Sequence, residues 1–230
     1  MKNVKTLFAL LLAFVLSASV AAQDCDFYSM SKGTVFGYQN LDAKGKESGS
    51  TRTTCLDVQN VGESVIYKVK SEFAEPKNKN QSSREYDMRC EGGKFYIDMQ
   101  SFIDPKSMES FKDMEISAES TDMMYPAGLS VGATLPDANI TISAASGGVA
   151  IMNMVVNITN RKVVAMESVT VPAGTFECYK MTYDAESKMI FKVNTSVTEY
   201  ISRGIGSVKT ETFDKKGKLL GTTILTELVK

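Results

Sequence analysis

From Gly33 onward the chain alternates apolar and polar residues with a period of two. Val65, Tyr67, Val69, Ser71 and Phe73 share one face, while Ser64, Ile66, Lys68, Lys70 and Glu72 share the other. Tyr86, Met88 and Cys90 alternate with Glu85, Asp87 and Arg89, and Phe95, Ile97 and Met99 resume the pattern after Gly92-Gly93. Successive side chains of a strand point to opposite faces, so this pattern buries one face and leaves the other in water. Antiparallel strands show that pattern. A parallel sheet needs crossovers of about a dozen residues or more, usually helical, and the intervals here leave no room for them.

The second half reads as a long meander with candidate strands at 139–144, 149–157, 162–171, 175–184, 188–202, 207–214 and 218–228. Pro172-Ala173-Gly174 predicts a three-residue hairpin, because proline presets φ and glycine accepts the left-handed region. Asn160-Arg161 is read as a tight two-residue connection. D-x-K-G-K-x-x-G-[ST]-T occurs twice, from Asp42 to Thr51 and from Asp214 to Thr223. Asp favours the turn and Gly supplies positive φ, so the echo is read as one hairpin chemistry used twice. The convincing helical start is Asp104-Pro105-Lys106-Ser107-Met108-Glu109, with Asp104 as cap and Pro105 at the first helical position, predicting a short helix over about 105–112. The fold class expected is all-β with minor α: a single antiparallel, strongly curved sheet or open half-barrel. About ten to twelve strands would form it, with the short helix against the concave side or one end.

Residues 1–22 have the form of a secretory signal peptide: a basic head at Lys2 and Lys5, an apolar run from Leu7 to Leu16, and small residues before Gln23. The apolar run is about ten residues, short of the roughly 20 that a spanning helix needs. The mature chain is therefore taken as one β-rich domain, 23–230, exported to the cell envelope or secreted, with no transmembrane anchor. A lipidated cysteine is the first mature residue, and Gln23 and Asp24 precede Cys25, so no lipid anchor is expected. Cys25, Cys55, Cys90 and Cys178 all remain, and an oxidising compartment permits up to two disulfides among three connectivities. No C-x-x-C pair suggests a redox or zinc motif.

The sequence carries no histidine and no tryptophan. Lack of histidine removes Ser-His-Asp and Cys-His catalysis and the H-E-x-x-H zinc sites. Gly147-Gly148 and Gly204-Ile205-Gly206 lack the features of phosphate-binding loops. The net charge of −1, more negative once Lys2 and Lys5 leave with the leader, gives no footprint for nucleic acid. Carboxylate pairs need no histidine. The densest acidic stretch, Glu109, Asp113, Glu115, Glu119 and Asp122, is nevertheless read as a solvated face. It does not match a calcium loop, so no metal or cofactor is expected.

Methionine is frequent, at 13. Met152 and Met154 share a strand face with Val156 and Ile158, and Met181 falls with Tyr179 and Tyr183. Flexible Met with aromatics packs cores or lines adaptable apolar cavities.

The strings Val169-Thr170-Val171-Pro172-Ala173-Gly174-Thr175-Phe176-Glu177-Cys178-Tyr179-Lys180 and Cys90-Glu91-Gly92-Gly93-Lys94-Phe95-Tyr96-Ile97-Asp98-Met99, with the terminal D-x-K-G-K hairpin, carry a resemblance. The chain resembles an uncharacterised exported β-protein family of Bacteroides-type bacteria, related to domain-of-unknown-function family 3108. The resemblance covers most of the mature chain and implies a Gram-negative exported protein with an antiparallel β fold; it supplies no site residues. The function expected is non-enzymatic: binding of a lipid or other hydrophobic ligand inside the curved sheet. The alternative is a structural or interaction protein docking to an envelope partner. The ligand-binding residues stay unknown at this level.

Overall fold

The computed structural model describes residues 25, 27–76, 79–103 and 105–230. The signal-peptide segment and Asp104 lie outside the described residues. Among the described residues, thirteen strands form one antiparallel sheet: β1 (Val35–Asp42), β2 (Glu47–Val61), β3 (Ser64–Glu75), β4 (Lys79–Glu91), β5 (Lys94–Ile97), β6 (Glu115–Thr121), β7 (Met123–Tyr125), β8 (Ala138–Ser146), β9 (Val149–Val171), β10 (Gly174–Lys188), β11 (Lys192–Ser202), β12 (Gly206–Asp214) and β13 (Leu219–Val229). Their order across the sheet is β6-β8-β9-β10-β11-β12-β13-β1-β2-β3-β4-β5-β7. The two outermost strands, β6 and β7, are separated in sequence by Asp122 alone. One short stretch of chain thus pairs with β8 on one side and β5 on the other, and the sheet curls into a nearly closed barrel. Curling removes the open edges that a flat sheet would expose.

Period two delivers the core. Tyr67, Val69 and Ser71 of β3, Met88 and Cys90 of β4, and Phe95 and Ile97 of β5 are buried on the inner face. Gly92 and Gly93 make the β4–β5 turn with φ 58° and 71°, backbone that glycine adopts without strain.

Two elements differ from the sequence reading. Asn160-Arg161 is no hairpin: β9 runs through it for 23 residues. Asn160 has φ 57° and lies, with Arg161, in the register shift against β10 between the pairs of Lys162 with Thr182 and Thr159 with Asp184. This bulge changes the phase of the strand. Met152 and Ile158 point inward before it, and Arg161, Val163, Val169 and Val171 after it. A polar pair able to adopt positive φ looks the same in sequence whether it turns a chain or bulges a strand. The expected helix forms as a 3-10 helix, Pro105–Phe111, preceded by another at Met99–Phe102. Asp98 caps the earlier one, its Oδ1 accepting from the Gln100 N–H at 2.8 Å. At Pro172-Ala173-Gly174, Gly174 already pairs with Val171, so the connection is two residues and not three.

The repeated hairpin motif folds identically. Asp42 Oδ1 accepts from the N–H of Lys44 and Lys46 at 2.8 and 2.9 Å. Asp214 Oδ1 accepts from Lys216 and Lys218 at the same two distances, 2.8 and 2.9 Å. Because β13 pairs with β1, the two turns lie side by side at one end of the barrel. The β8–β9 and β10–β11 connections fall at that end as well, by the alternation of an antiparallel meander.

The opposite end is plugged. Phe27, fully buried, packs against Tyr125 and Tyr179 with ring centroids at 6.3 and 5.9 Å. Tyr28 stacks on Phe95 at 4.5 Å and bridges to Ile205. A disulfide from Cys25 to Cys90 pins the plug to β4.

Candidate cavity inside the barrel

The plug leaves part of the interior unfilled. A cavity of about 440 Å³ lies between Tyr28 and Phe36 at the plugged end and Asn40, Thr51, Phe73 and Thr223 toward the other. Exposure grows along each strand in that direction. Phe36 is buried and Asn40 half-buried on β1; Thr53 is buried and Thr51 half-buried on β2; Ser71 is buried and Phe73 half-buried on β3. The plug is therefore the floor, and the mouth faces the paired D-x-K-G-K turns.

The wall has two characters. Met30, Phe36, Met88, Ile97 and Met123 are its apolar part. Interleaved with these, on the same or neighbouring strands, Thr53 Oγ1 and Ser71 Oγ are hydrogen-bonded at 2.7 Å, and Ser71 Oγ and Tyr86 Oη at 3.1 Å; Thr53 is the cross-strand partner of Phe36. Nearer the mouth, Thr223 Oγ1 donates to Asn40 Oδ1 at 2.8 Å. These hydroxyls sit at inward positions of period-two strands, where they satisfy one another instead of water. Methionine does line the cavity, but through Met30, Met88 and Met123. Met181 is fully buried in the core, and Met152 and Met154 pack against it in the β8–β9 hairpin, whereas Tyr183 does reach the lining.

Glu199 is the one charged group on the lining among the described residues. It occupies an inward position of β11 between Val197 and Ile201, and only 5% of it is exposed. Tyr125 Oη donates to Glu199 Oε2 at 3.2 Å, with Oε1 at 3.4 Å. Burial pushes the carboxyl above the ordinary glutamate range, and the nearby Arg161 charge and the Tyr125 and Ser207 hydrogen bonds pull against that rise. Tyr125 itself is held protonated well above the usual phenol range, by burial first and Glu199 next. A protonated phenol beside a buried carboxyl is a fixed donor, so Glu199 keeps acceptor capacity facing the cavity.

Arg161 is fully buried, which its place in the bulged strand explains. Its Nη1 donates to the carbonyls of Met124 and Pro136, both at 2.9 Å, and its guanidinium lies 5.0 Å from the Tyr125 ring. It thus ties β9 to β7, across the seam where the barrel closes. Its Nε and Nη2 have no hydrogen-bond partner among the described residues.

Of the acids in the 109–122 stretch, Asp113, Glu115, Glu119 and Asp122 are not on the cavity lining, and the Glu109 side chain lies outside the described residues. The β6 residues are all exposed, and Asp122 pairs with Arg89 of β4 at 3.4 Å. No group of three or more potential metal ligands occurs among the described residues. The cavity offers one carboxyl, where paired-acid hydrolysis takes two. Of the four cysteines, Cys25 and Cys90 are joined; Cys55 and Cys178 are free and buried, and burial pushes the Cys178 thiol up to about 11. Sequence reasoning missed Glu199 and Arg161. A signal existed for Glu199, an acid with apolar residues two positions away on both sides of a period-two strand.

The family described as DUF3108-like matches over residues 31–225. The chain belongs to the DUF3108-like family. The matched range takes in both D-x-K-G-K turns, Glu199 and the cavity lining from β1 to β12. Two crystal structures share the fold of this DUF3108-like protein. One is an exported-protein candidate with a YmcC-like fold from Bacteroides fragilis, at TM-score 0.74 and 19% identity, covering 90% of this chain and 100% of the other. The second is a lipoprotein candidate from Parabacteroides distasonis, at TM-score 0.71 and 22% identity, with the same two coverages of 90% and 100%. No curated protein matches the chain in sequence.

Proposed function

We propose that this DUF3108-like chain is an exported envelope protein that holds an amphipathic, mainly hydrophobic small molecule inside its barrel, without covalent chemistry. The observation that carries this reading is the cavity: about 440 Å³, lined by apolar side chains interspersed with hydroxyls and one buried carboxyl. Ligand pockets run from about 300 to 1,000 Å³ and combine apolar walls with a few placed polar groups. The apolar body of a lipid-like molecule fits against Met30, Phe36, Met88, Ile97 and Met123, and a hydroxyl or amine on it would donate to Glu199. The signal-peptide pattern of residues 1–22 supports export, as does the similarity to an exported-protein candidate. A free, unlipidated N-terminus is supported by the disulfide, since the Cys25 sulfur is bonded to Cys90 and has no valence left for a lipid thioether.

The test is to purify mature 23–230 from native membranes, extract it and weigh the extract by mass spectrometry. A stoichiometric amphiphile is expected. In solution, the purified chain should enhance the fluorescence of N-phenyl-1-naphthylamine, and Ser71→Phe, which fills the cavity from β3, should abolish the signal while the fold survives by circular dichroism. An empty extract together with no dye response overturns the reading.

A further inference from the structure

The barrel end that carries the cavity mouth also carries the most exposed apolar side chains of the described residues. The tip between β10 and β11 reads Lys188-Met189-Ile190-Phe191-Lys192, and Ile190 and Phe191 are 81% and 79% exposed. Val149 and Ile151 of the neighbouring β8–β9 hairpin, and Leu220 just past the Asp214 turn, are exposed at the same end. Native loop tips are normally polar, and apolar side chains gathered at one end of a molecule mark a contact surface. The charges around them identify which kind. Lys44 and Lys46 stand on one D-x-K-G-K turn, and Lys215, Lys216 and Lys218 on the next, all exposed. Several acids at this end are already engaged: Asp42 and Asp214 accept backbone N–H groups within their own turns, and Glu186 pairs with Lys192. What faces outward is an apolar tip beside a cluster of lysine ammoniums. Anionic headgroups over hydrocarbon match that pattern in both charge and depth.

We propose that the protein docks mouth-first on an anionic bilayer, with Ile190 and Phe191 inserted below the headgroups and the lysines of the two repeated turns on the phosphates. The pose turns the cavity mouth toward the lipid. It deepens the carrier reading by naming the source of the ligand as the bilayer itself. Apolar insertion supplies the hold, and each lysine adds about fivefold to partitioning on an anionic surface.

Mature 23–230 is mixed with vesicles of phosphatidylcholine alone or with a third phosphatidylglycerol, and sedimented. Binding is expected to the anionic vesicles, weakened by salt and by omission of the phosphatidylglycerol. Ile190→Asp with Phe191→Asp should lower that binding by about tenfold or more, since each side chain buries a full apolar surface in the interface. Lys215→Glu with Lys216→Glu should lower it on anionic vesicles and leave the phosphatidylcholine result unchanged. The tip is exposed, so the variants should keep wild-type circular dichroism and wild-type response to N-phenyl-1-naphthylamine. Wild-type protein that ignores anionic vesicles, a tip variant that binds as wild type, or a tip buried in a dimer by analytical ultracentrifugation would each overturn the docking. Vesicle binding without any dye response would instead sink the cavity reading and leave docking standing; dye response without vesicle binding does the reverse.

Discussion

Glu199 is where an inner face that alternation makes apolar instead carries a titratable group. Its carboxyl is raised above the ordinary value of 4.5 in the folded chain. The folded state therefore binds this proton more tightly than the unfolded state does. The stability associated with the proton is complete below about 4.5 and is lost as pH rises through the folded value. Glu199→Gln removes the titration while keeping an oxygen for Tyr125. Its melting temperature should match wild type near pH 4 and exceed it by a growing margin as the pH is raised toward and past neutrality. A constant margin across that range would show that the carboxyl does not titrate as burial demands. Gly206, by contrast, is a residue whose identity is forced. It has φ 84°, and a Cβ there would lie 2.0 Å from the Tyr28 ring. Gly206→Ala should cost on the order of 3 kcal/mol, from backbone strain together with displacement of the plug. Adding Tyr28→Ala to it should cost less than Tyr28→Ala costs alone in the wild type, since the ring would already have been displaced.

At the scale of elements, the strands were legible because burial of one face writes itself into every second residue. β3, β4 and β5 follow the sequence pattern nearly residue for residue, as do the paired turns. Asp42 and Asp214 were marked by their glycines at Gly45 and Gly217, both with φ 76°. Each carboxylate is held below its usual range, chiefly by the backbone N–H groups of its own turn. Its contribution is therefore present above the unfolded value of 3.8 and disappears as pH falls through the lowered folded one. Asp42→Ala should lower the melting temperature at neutral pH and have a shrinking effect in acid, measured by a thermal scan at several pH values. β9 was illegible at one point. Asn160-Arg161 turns a chain only if the flanking strands pair with each other. Here they pair with β8 and β10, and that choice lies outside any local window. Asn160→Ala should cost about 1 kcal/mol by urea titration because alanine resists positive φ, and Asn160→Gly should sit closer to wild type.

The whole molecule depends on two closures. Asp122 joins the outer strands β6 and β7, and Arg161 ties the seam from inside. The plug is held by a bond spanning a sequence separation of 65 residues. Closing a loop of that size restricts the unfolded chain, so Cys25→Ser with Cys90→Ser should lower the unfolding free energy by about 4 kcal/mol. The same double variant should loosen the floor of the cavity and weaken N-phenyl-1-naphthylamine binding, as read by fluorescence titration. An unchanged midpoint in denaturant would mean that packing of Phe27 and Tyr28 alone retains the plug.

The amino-acid sequence by itself determined the period of the chain, its antiparallel pairing, its two D-x-K-G-K turns and the absence of histidine chemistry. Each of these depends on residues within a few positions of one another, where backbone geometry leaves few options. The tertiary structure decided that the sheet closes at Asp122, that Cys25 finds Cys90, that Glu199 faces a hollow and that the apolar tip shares an end with the mouth. Those are distances between residues far apart in sequence. They are set by sheet curvature and by how far the plug fills the interior, and no local pattern encodes either.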